Sequence, residues 1–291
     1  MAAGKEPRIN FSTKAELNEG GLHGVLIWVC LHRKPYPSSS AAPVGAPVFP
    51  NLIQEGHSGF DIRINFPGVP LFFQYKLPEL MKRGTAFEIA SGHCPGLSIP
   101  FFRIAMMRRD VSRQHELLLR LEARYPSNVF YAAPCTANIS DFDRSYNGAT
   151  VARQSIFVSP GDIGPLPDDK AYSLAYKPGL ATGYFCSKPK PTKVQTFDDL
   201  AALFKEQFAE KRFAEVGEAA REMRENVLEL ASPSMRQAEQ LIAERVGARR
   251  IQILDGAARP PEEERAVTDI LVAREIARVD LGVDLLVAQP R

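Results

Sequence analysis

The sequence predicts an α/β protein whose first part is a sandwich of strands and helices and whose last part is mainly helical. Three observations carry this. Short strand-like runs (60–66, 71–76, 99–106, 128–134) are interleaved with one clear amphipathic helix over 112–124. A proline-punctuated basic stretch follows at 187–195, and beyond it apolar residues recur at three-to-five-residue steps, the spacing of a helix. The chain has 291 residues, 45% of them hydrophobic, enough for one good core and an appendage.

In chain order, Thr13 opens a predicted helix over 13–33, with Glu16 at the position of a capping box and an apolar second half, Val25 to Leu31. Five prolines and three serines make 35–50 a loop, and Leu52-Ile53-Gln54-Glu55 reads as a strand. Residues 60–66 alternate apolar and polar, 71–76 carry strand-favouring aromatics, and Pro67-Gly68-Val69-Pro70 between them has turn composition. This reads as an antiparallel hairpin with paired positions summing to about 136. Asp61 then falls opposite Tyr75 and diagonal to Gln74 and Lys76, which share a face. Residues 99–106 read as a strand, and Ser112 to Arg124 as a helix with Leu117, Leu118 and Leu121 as its core stripe. Asn128 to Pro134 reads as a buried strand, and Ser155 to Pro160 with the following loop closes the first domain.

The spacing therefore gathers one acid, one amide and one amine on a strand pair that is otherwise mostly apolar. Such a set suits metal-dependent phosphodiester hydrolysis: Asp61, the Gln74 amide oxygen and a strand carbonyl such as that of Tyr75 offer the hard oxygens that Mg²⁺ prefers. Lys76 would orient or activate water and offset phosphate charge. Gly59-Phe60-Asp61 and Gln74-Tyr75-Lys76 resemble the signature of the PD-(D/E)XK, or restriction-endonuclease-like, nucleases, and the Gln-X-Lys form is similar to that of Mrr-like and antiphage defence nucleases. Gln74 stands where most members carry Asp or Glu, leaving one negative charge fewer.

The resemblance implies an α/β/α sandwich with a mixed central sheet and Mg²⁺, or Mn²⁺, as cofactor. It also implies a further glutamate on an early helix. Glu16 is the first choice, with Glu55 and then Glu19 as substitutes, and Glu16 equally serves as a plain helix cap. It further implies a polar residue from the second helix near the scissile phosphate, Gln114 or His115. Both are placed on the side away from the leucines, where a solvated face is the ordinary reading. Arg103, Arg108, Arg109 and Arg113 cluster just before, as phosphate contacts or as solubilising surface.

The net charge is +2, split into 19 Lys+Arg against 15 Asp+Glu through residue 185 and 17 against 19 beyond it. This excludes the strongly basic surface of a dedicated DNA-binding domain. The four cysteines are far apart and give neither a zinc knuckle nor a disulfide framework, and His93-Cys94 in a Gly/Pro-bounded loop reads as structural. No signal peptide or spanning segment is read, which predicts a cytoplasmic protein without membrane contact.

The expected domains are 1–186 (nuclease-like), 187–195 (linker) and 196–291 (helical). In the last, Thr196 and Asp199 cap a long helix, Ser234 caps a second that Gly247 ends, and Pro261 opens a third. The helical part is assigned to oligomerisation or to a protein partner, with regulation but not intrinsic cleavage lost on its removal. Two functions follow: a DNA endonuclease of a prokaryotic antiphage or restriction system, or a catalytically inactive nuclease-fold subunit that binds nucleic acid or protein in a multi-subunit defence complex.

Overall fold

The computed structural model describes residues 69–148, 150–186, 189–210, 216–253 and 261–288. They form an α/β structure with one mixed sheet, one antiparallel sheet and helices. The predicted helix over 13–33, the strand at 52–55 and the first arm of the hairpin lie outside these residues.

Strand β1 (Val69–Tyr75) is the organising element. All seven of its residues are buried, so it reads as a continuous apolar run, as a strand covered on both faces does. It pairs in parallel with β4 (Val129–Pro134), from Phe72 beside Val129 to Tyr75 beside Ala132. On its other edge it pairs antiparallel with β9 (Asp284–Ala288), from Val69 beside Ala288 to Phe73 beside Asp284. With β5 (Ser155–Val158) the mixed sheet has the order β5-β4-β1-β9. Pro70 fits because the amides of Phe72 and Lys76 donate to Asn128 and Ala132 on the β4 side, and Pro70 faces the same side before that ladder begins.

This corrects the hairpin. Val69 and Pro70 belong to the strand rather than to a turn, and at Phe72 and Phe73 both edges of β1 are taken, by β4 and by β9. Those two residues have no edge left for the antiparallel pairing expected of them.

The second sheet runs β2 (Glu79–Met81), β3 (Phe101–Met106), β6 (Tyr172–Tyr176), β7 (Thr182–Cys186) and β8 (Lys190–Lys193), antiparallel throughout. Phe102, Ile104, Leu174, Tyr176 and Phe185 turn into the main core, and the Phe102 and Tyr176 rings stack at 5.7 Å. Phe101, Ala175, Tyr184, Cys94 and Cys186 form a smaller cluster.

The first helices are α1 (Phe87–Ala90), α2 (Gln114–Arg124), α3 (Ile139–Asn147) and α4 (Pro160–Ile163). Leu118 and Leu121 of α2 are buried, and Tyr125 just past its end lies 5.1 Å from Phe72, which sets α2 over one face of β1. Glu122 of α2 accepts from the Ser159 hydroxyl and, at 2.6 Å, from the Gly161 amide, tying down the start of α4.

Four longer helices follow: α5 (Phe197–Glu210), α6 (Val216–Leu230), α7 (Pro233–Ile253) and α8 (Pro261–Ile276). The Thr196–Asp199 cap forms as expected, each residue bonding the other's backbone or side chain at 2.7 to 3.2 Å. The stripe read as one helix to Leu230 is divided between α5 and α6. Ser232, not Ser234, caps α7: its hydroxyl accepts from the Met235 amide, with Pro233 as first helical residue. Gly247 does not end α7, which continues to Ile253. Helix α8 passes into one π-helical turn, Ala277–Leu281, and closes at Gly282 in the left-handed region, φ 66°.

Two strands lie outside the region expected to hold the sheets. Residues 190–193 of the supposed linker form β8, with Thr192 buried between exposed neighbours and paired to Gly183. The helical region, for its part, ends in β9, inside the sheet of the first region, so its removal would strip one edge of β1. Half-buried polar bridges join the two regions further: Arg124 reaches Asn226 and Glu229, and Tyr125 accepts from Asn226. Among the described residues no helix is long and apolar enough to cross a membrane.

Deleting residues 196–291 should therefore abolish cooperative unfolding, not merely regulation, and Leu285→Ala in the intact chain should cost about 2–5 kcal/mol by loss of buried methyl groups. Chemical denaturation followed by circular dichroism checks both; a cooperative transition in the truncated chain would refute the integrated sheet.

Candidate functional site

Period-two geometry puts Gln74 and Lys76, at the carboxyl end of β1, on the face that carries Phe72 and lies under α2. Both are buried, at 2% and 4% exposure, in a position where a polar group requires a partner. The first residue of α2 supplies it. Lys76 Nζ donates to Gln114 Oε1 at 3.4 Å, Gln114 Nε2 donates to Gln74 Oε1 at 2.7 Å, and Gln74 Nε2 donates to the Tyr75 carbonyl at 3.1 Å. An ammonium can only donate and a carbonyl can only accept, so the two ends fix the orientation of both amides between them. The result is a polarised chain running from a positive charge to a backbone oxygen.

Gly282 makes the approach of Gln114 sterically available. A Cβ at residue 282 would stand 2.6 Å from Gln114 Nε2 and 3.6 Å from Gln74 Oε1, so the glycine serves both its left-handed backbone and this close contact. The turn before β9 is in this way a wall of the site, although it lies far along the chain.

His115 is the second polar group of α2 to turn inward. Its ring stacks on Tyr131, the β4 residue paired with Gln74, and its two nitrogens lie 2.7 Å from the Tyr131 hydroxyl and 2.7 Å from the Gly164 carbonyl. The carbonyl accepts, so Nε2 carries the proton and the Tyr131 hydroxyl donates to Nδ1. Burial pushes the His115 pKa down, the bond to Gly164 opposes this, and the nearby Lys76 charge lowers it further. Burial raises the Tyr131 hydroxyl far beyond its ordinary range. This pair is held neutral.

The structure thus brings together Gln74, Lys76, Gln114 and, one residue along α2, His115. It corrects the solvated face expected for the last two: His115 is buried and Gln114 half-buried. The missed signal was the spacing of His115 and Leu118, three apart and therefore on one helical face. Asp61, Glu16, Glu19 and Glu55 lie outside the described residues. Arg108, Arg109 and Arg113 are exposed and each already meets a carboxylate, Asp110 at 2.5 Å, Asp169 at 2.8 Å and Glu116 at 3.3 Å. Arg103 grips Glu88 through two nitrogens. A basic cluster of unpaired guanidiniums is absent from this segment.

Asp284, buried at 1% and paired in register with Phe73, is an acid that sequence reasoning passed over. Its signal was a lone carboxylate inside the apolar run Val283 to Val287. Cys94 is buried beside Cys186 in the smaller cluster, and burial raises both thiols, Cys186 to about 12, which suits packing rather than nucleophilic attack.

Magnesium asks for several oxygens, usually with one or two carboxylates. Among the described residues no three His, Cys, Asp or Glu converge. The Gln74 amide oxygen and the Tyr75 carbonyl, both expected as ligands, each accept one hydrogen bond. The described residues alone do not complete a site for the ion, and the acids expected to complete it, Asp61 with Glu16, Glu55 or Glu19, lie outside them. No family model, curated protein or solved structure matches the chain.

Two outcomes follow. Gly282→Ala should displace Gln114 and strain a left-handed turn, lowering stability by about 1–2 kcal/mol, whereas Gly247→Ala, in open helix surroundings, should not; paired denaturant melts measure the difference. Because the native pKa of His115 is depressed, the unfolded chain takes up the proton first. Stability should be full above about pH 6.5 and should fall as pH drops below it, and His115→Gln should flatten that slope. Unfolding midpoints between about pH 7 and about pH 5 read this out, and parallel profiles for the two proteins would contradict it.

Proposed function

We propose that the chain is a metal-dependent DNA endonuclease with a restriction-endonuclease-like core, acting in the cytoplasm as effector of a prokaryotic antiphage or restriction system. One observation carries the reading. Gln74 and Lys76 turn inward on one face at the carboxyl end of a strand flanked by a parallel neighbour, and α2 delivers Gln114 and His115 beside them. The carboxyl ends of parallel strands are where open α/β sheets carry their ligands. Lys76 supplies positive charge for a phosphate oxyanion, and Gln114 holds its amine in place by accepting from it. The reading needs a carboxylate from Asp61, with Glu16, Glu55 or Glu19 as the further acid, to complete an ion site that the described oxygens do not form.

Purified protein incubated with supercoiled plasmid and Mg²⁺ or Mn²⁺ should nick or linearise it. Lys76→Ala and Asp61→Ala should each reduce the rate by about a hundredfold or more. Cleavage that survives both substitutions would remove this cluster from the chemistry.

A second reading has its own support. The Gln74 oxygen, which should face a metal, is engaged by Gln114 at 2.7 Å, as in a site turned over to structural use. In that case the chain is a catalytically inactive nuclease-fold subunit that binds nucleic acid or protein within a multi-subunit defence complex. No cleavage with either metal, together with retained binding of duplex DNA or of a protein partner, would favour it.

A further inference from the structure

A cleft of about 490 Å³ opens beyond the carboxyl end of β4, between β2, β3, the start of α3 and the loop after β6. Its position follows from the central sheet. The Lys76 amide bonds the Ala132 carbonyl, and the cleft begins three residues further along at Cys135, about 10 Å away at strand rise. On the other side Leu80 lines it, four residues and at most about 14 Å from Lys76. It lies at the same end of the sheet as the Gln74–Lys76 cluster and shares no lining residue with it.

The lining combines two chemistries. Pro100 and Pro178, with the edge of the largely buried Phe102, give apolar surface. Arg144 and Lys177 bring two cations against one acid, Asp141. Arg144 is 78% exposed and meets Asp141 through one nitrogen at 3.2 Å, leaving the fork of its guanidinium turned outward. Lys177 is held by the Ser98 hydroxyl at 2.6 Å, a neutral partner that leaves its charge uncompensated. The Ser145 hydroxyl sits between the Asp141 carbonyl and the Gln154 side-chain amide, within hydrogen-bond distance of both, and so fixes the floor.

We propose that this cleft binds a nucleotide, with the base against Pro100, Phe102 and Pro178 and the phosphate on Arg144 and Lys177. Its volume falls within the range of small-ligand sites, and an apolar slot with a few convergent charged groups is their usual form. A planar base suits the apolar surface of Pro100 and Pro178 at the edge of Phe102. The ligand is either a free nucleotide or one nucleotide of a DNA strand led past Lys76. The choice of a nucleotide rests on the nuclease reading, but binding is measured without cleavage, so the two can fail separately.

The test uses the full-length Lys76→Ala chain in EDTA, titrated by fluorescence anisotropy with a labelled deoxynucleoside monophosphate and, in parallel, with a labelled short oligodeoxynucleotide. Arg144→Glu combined with Lys177→Glu changes only surface charge, and an unchanged thermal midpoint confirms its fold. The double variant should bind at least about tenfold more weakly and show a flatter dependence on salt. Binding of the monophosphate identifies the free nucleotide as the source; binding of the oligonucleotide alone identifies the strand. Equal affinity of the double variant and its parent, or no binding of either probe, overturns the proposal. Loss of plasmid cleavage on Lys76→Ala bears on the nuclease reading alone.

Discussion

Both edges and both faces of β1 are occupied. A strand in that position offers no solvent to its side chains, so every polar group on it must be satisfied by the elements packed around it. This one constraint explains why α2 begins with Gln114 under the turn at Gly282. It also explains why the Tyr131 hydroxyl is matched to His115 and why an amine as costly to bury as Lys76 ends a chain of three hydrogen bonds.

The remaining helices are assembled on the same principle with larger charges. Arg224 of α6 reaches Glu239 of α7 at 2.8 Å and Asp269 of α8 at 2.7 Å, one guanidinium fastening three helices. Asp280 in the π-helical turn accepts from both the amide and the hydroxyl of Ser232, linking the start of α7 to the approach of β9. Such half-buried ionic contacts contribute little net stability but choose one packing over others, since a mispacked helix would strand a charge.

Local chemistry was legible in the sequence, and long-range pairing was not. The leucine spacing of α2, the apolar run of β4, the strand at β3 and the Thr196–Asp199 cap each depend on residues within a few positions of one another, and each formed. Period two likewise placed Gln74 and Lys76 on a shared face. The partners of β1 depend on residues far away, and the turn-like Pro67-Gly68-Val69-Pro70 offered a nearer, wrong solution. The basic, proline-bearing 190–193 segment hid an edge strand whose buried Thr192 alternates with exposed lysine and proline, a pattern shared by linkers and edges. The four apolar residues that follow Asp284 in β9 could not be told from the end of a helix by periodicity.

Because β9 pairs with a strand encoded about two hundred residues earlier, the central sheet has high contact order. During synthesis β1 can meet β4 long before β9 leaves the ribosome, yet its other edge and the Gly282 wall beside Gln114 stay missing until then. A nascent chain therefore carries Gln74 and Lys76 without the enclosure that orients them. The polar cluster is enclosed only once β9 has joined β1, so its geometry is among the last parts of the sheet to be set.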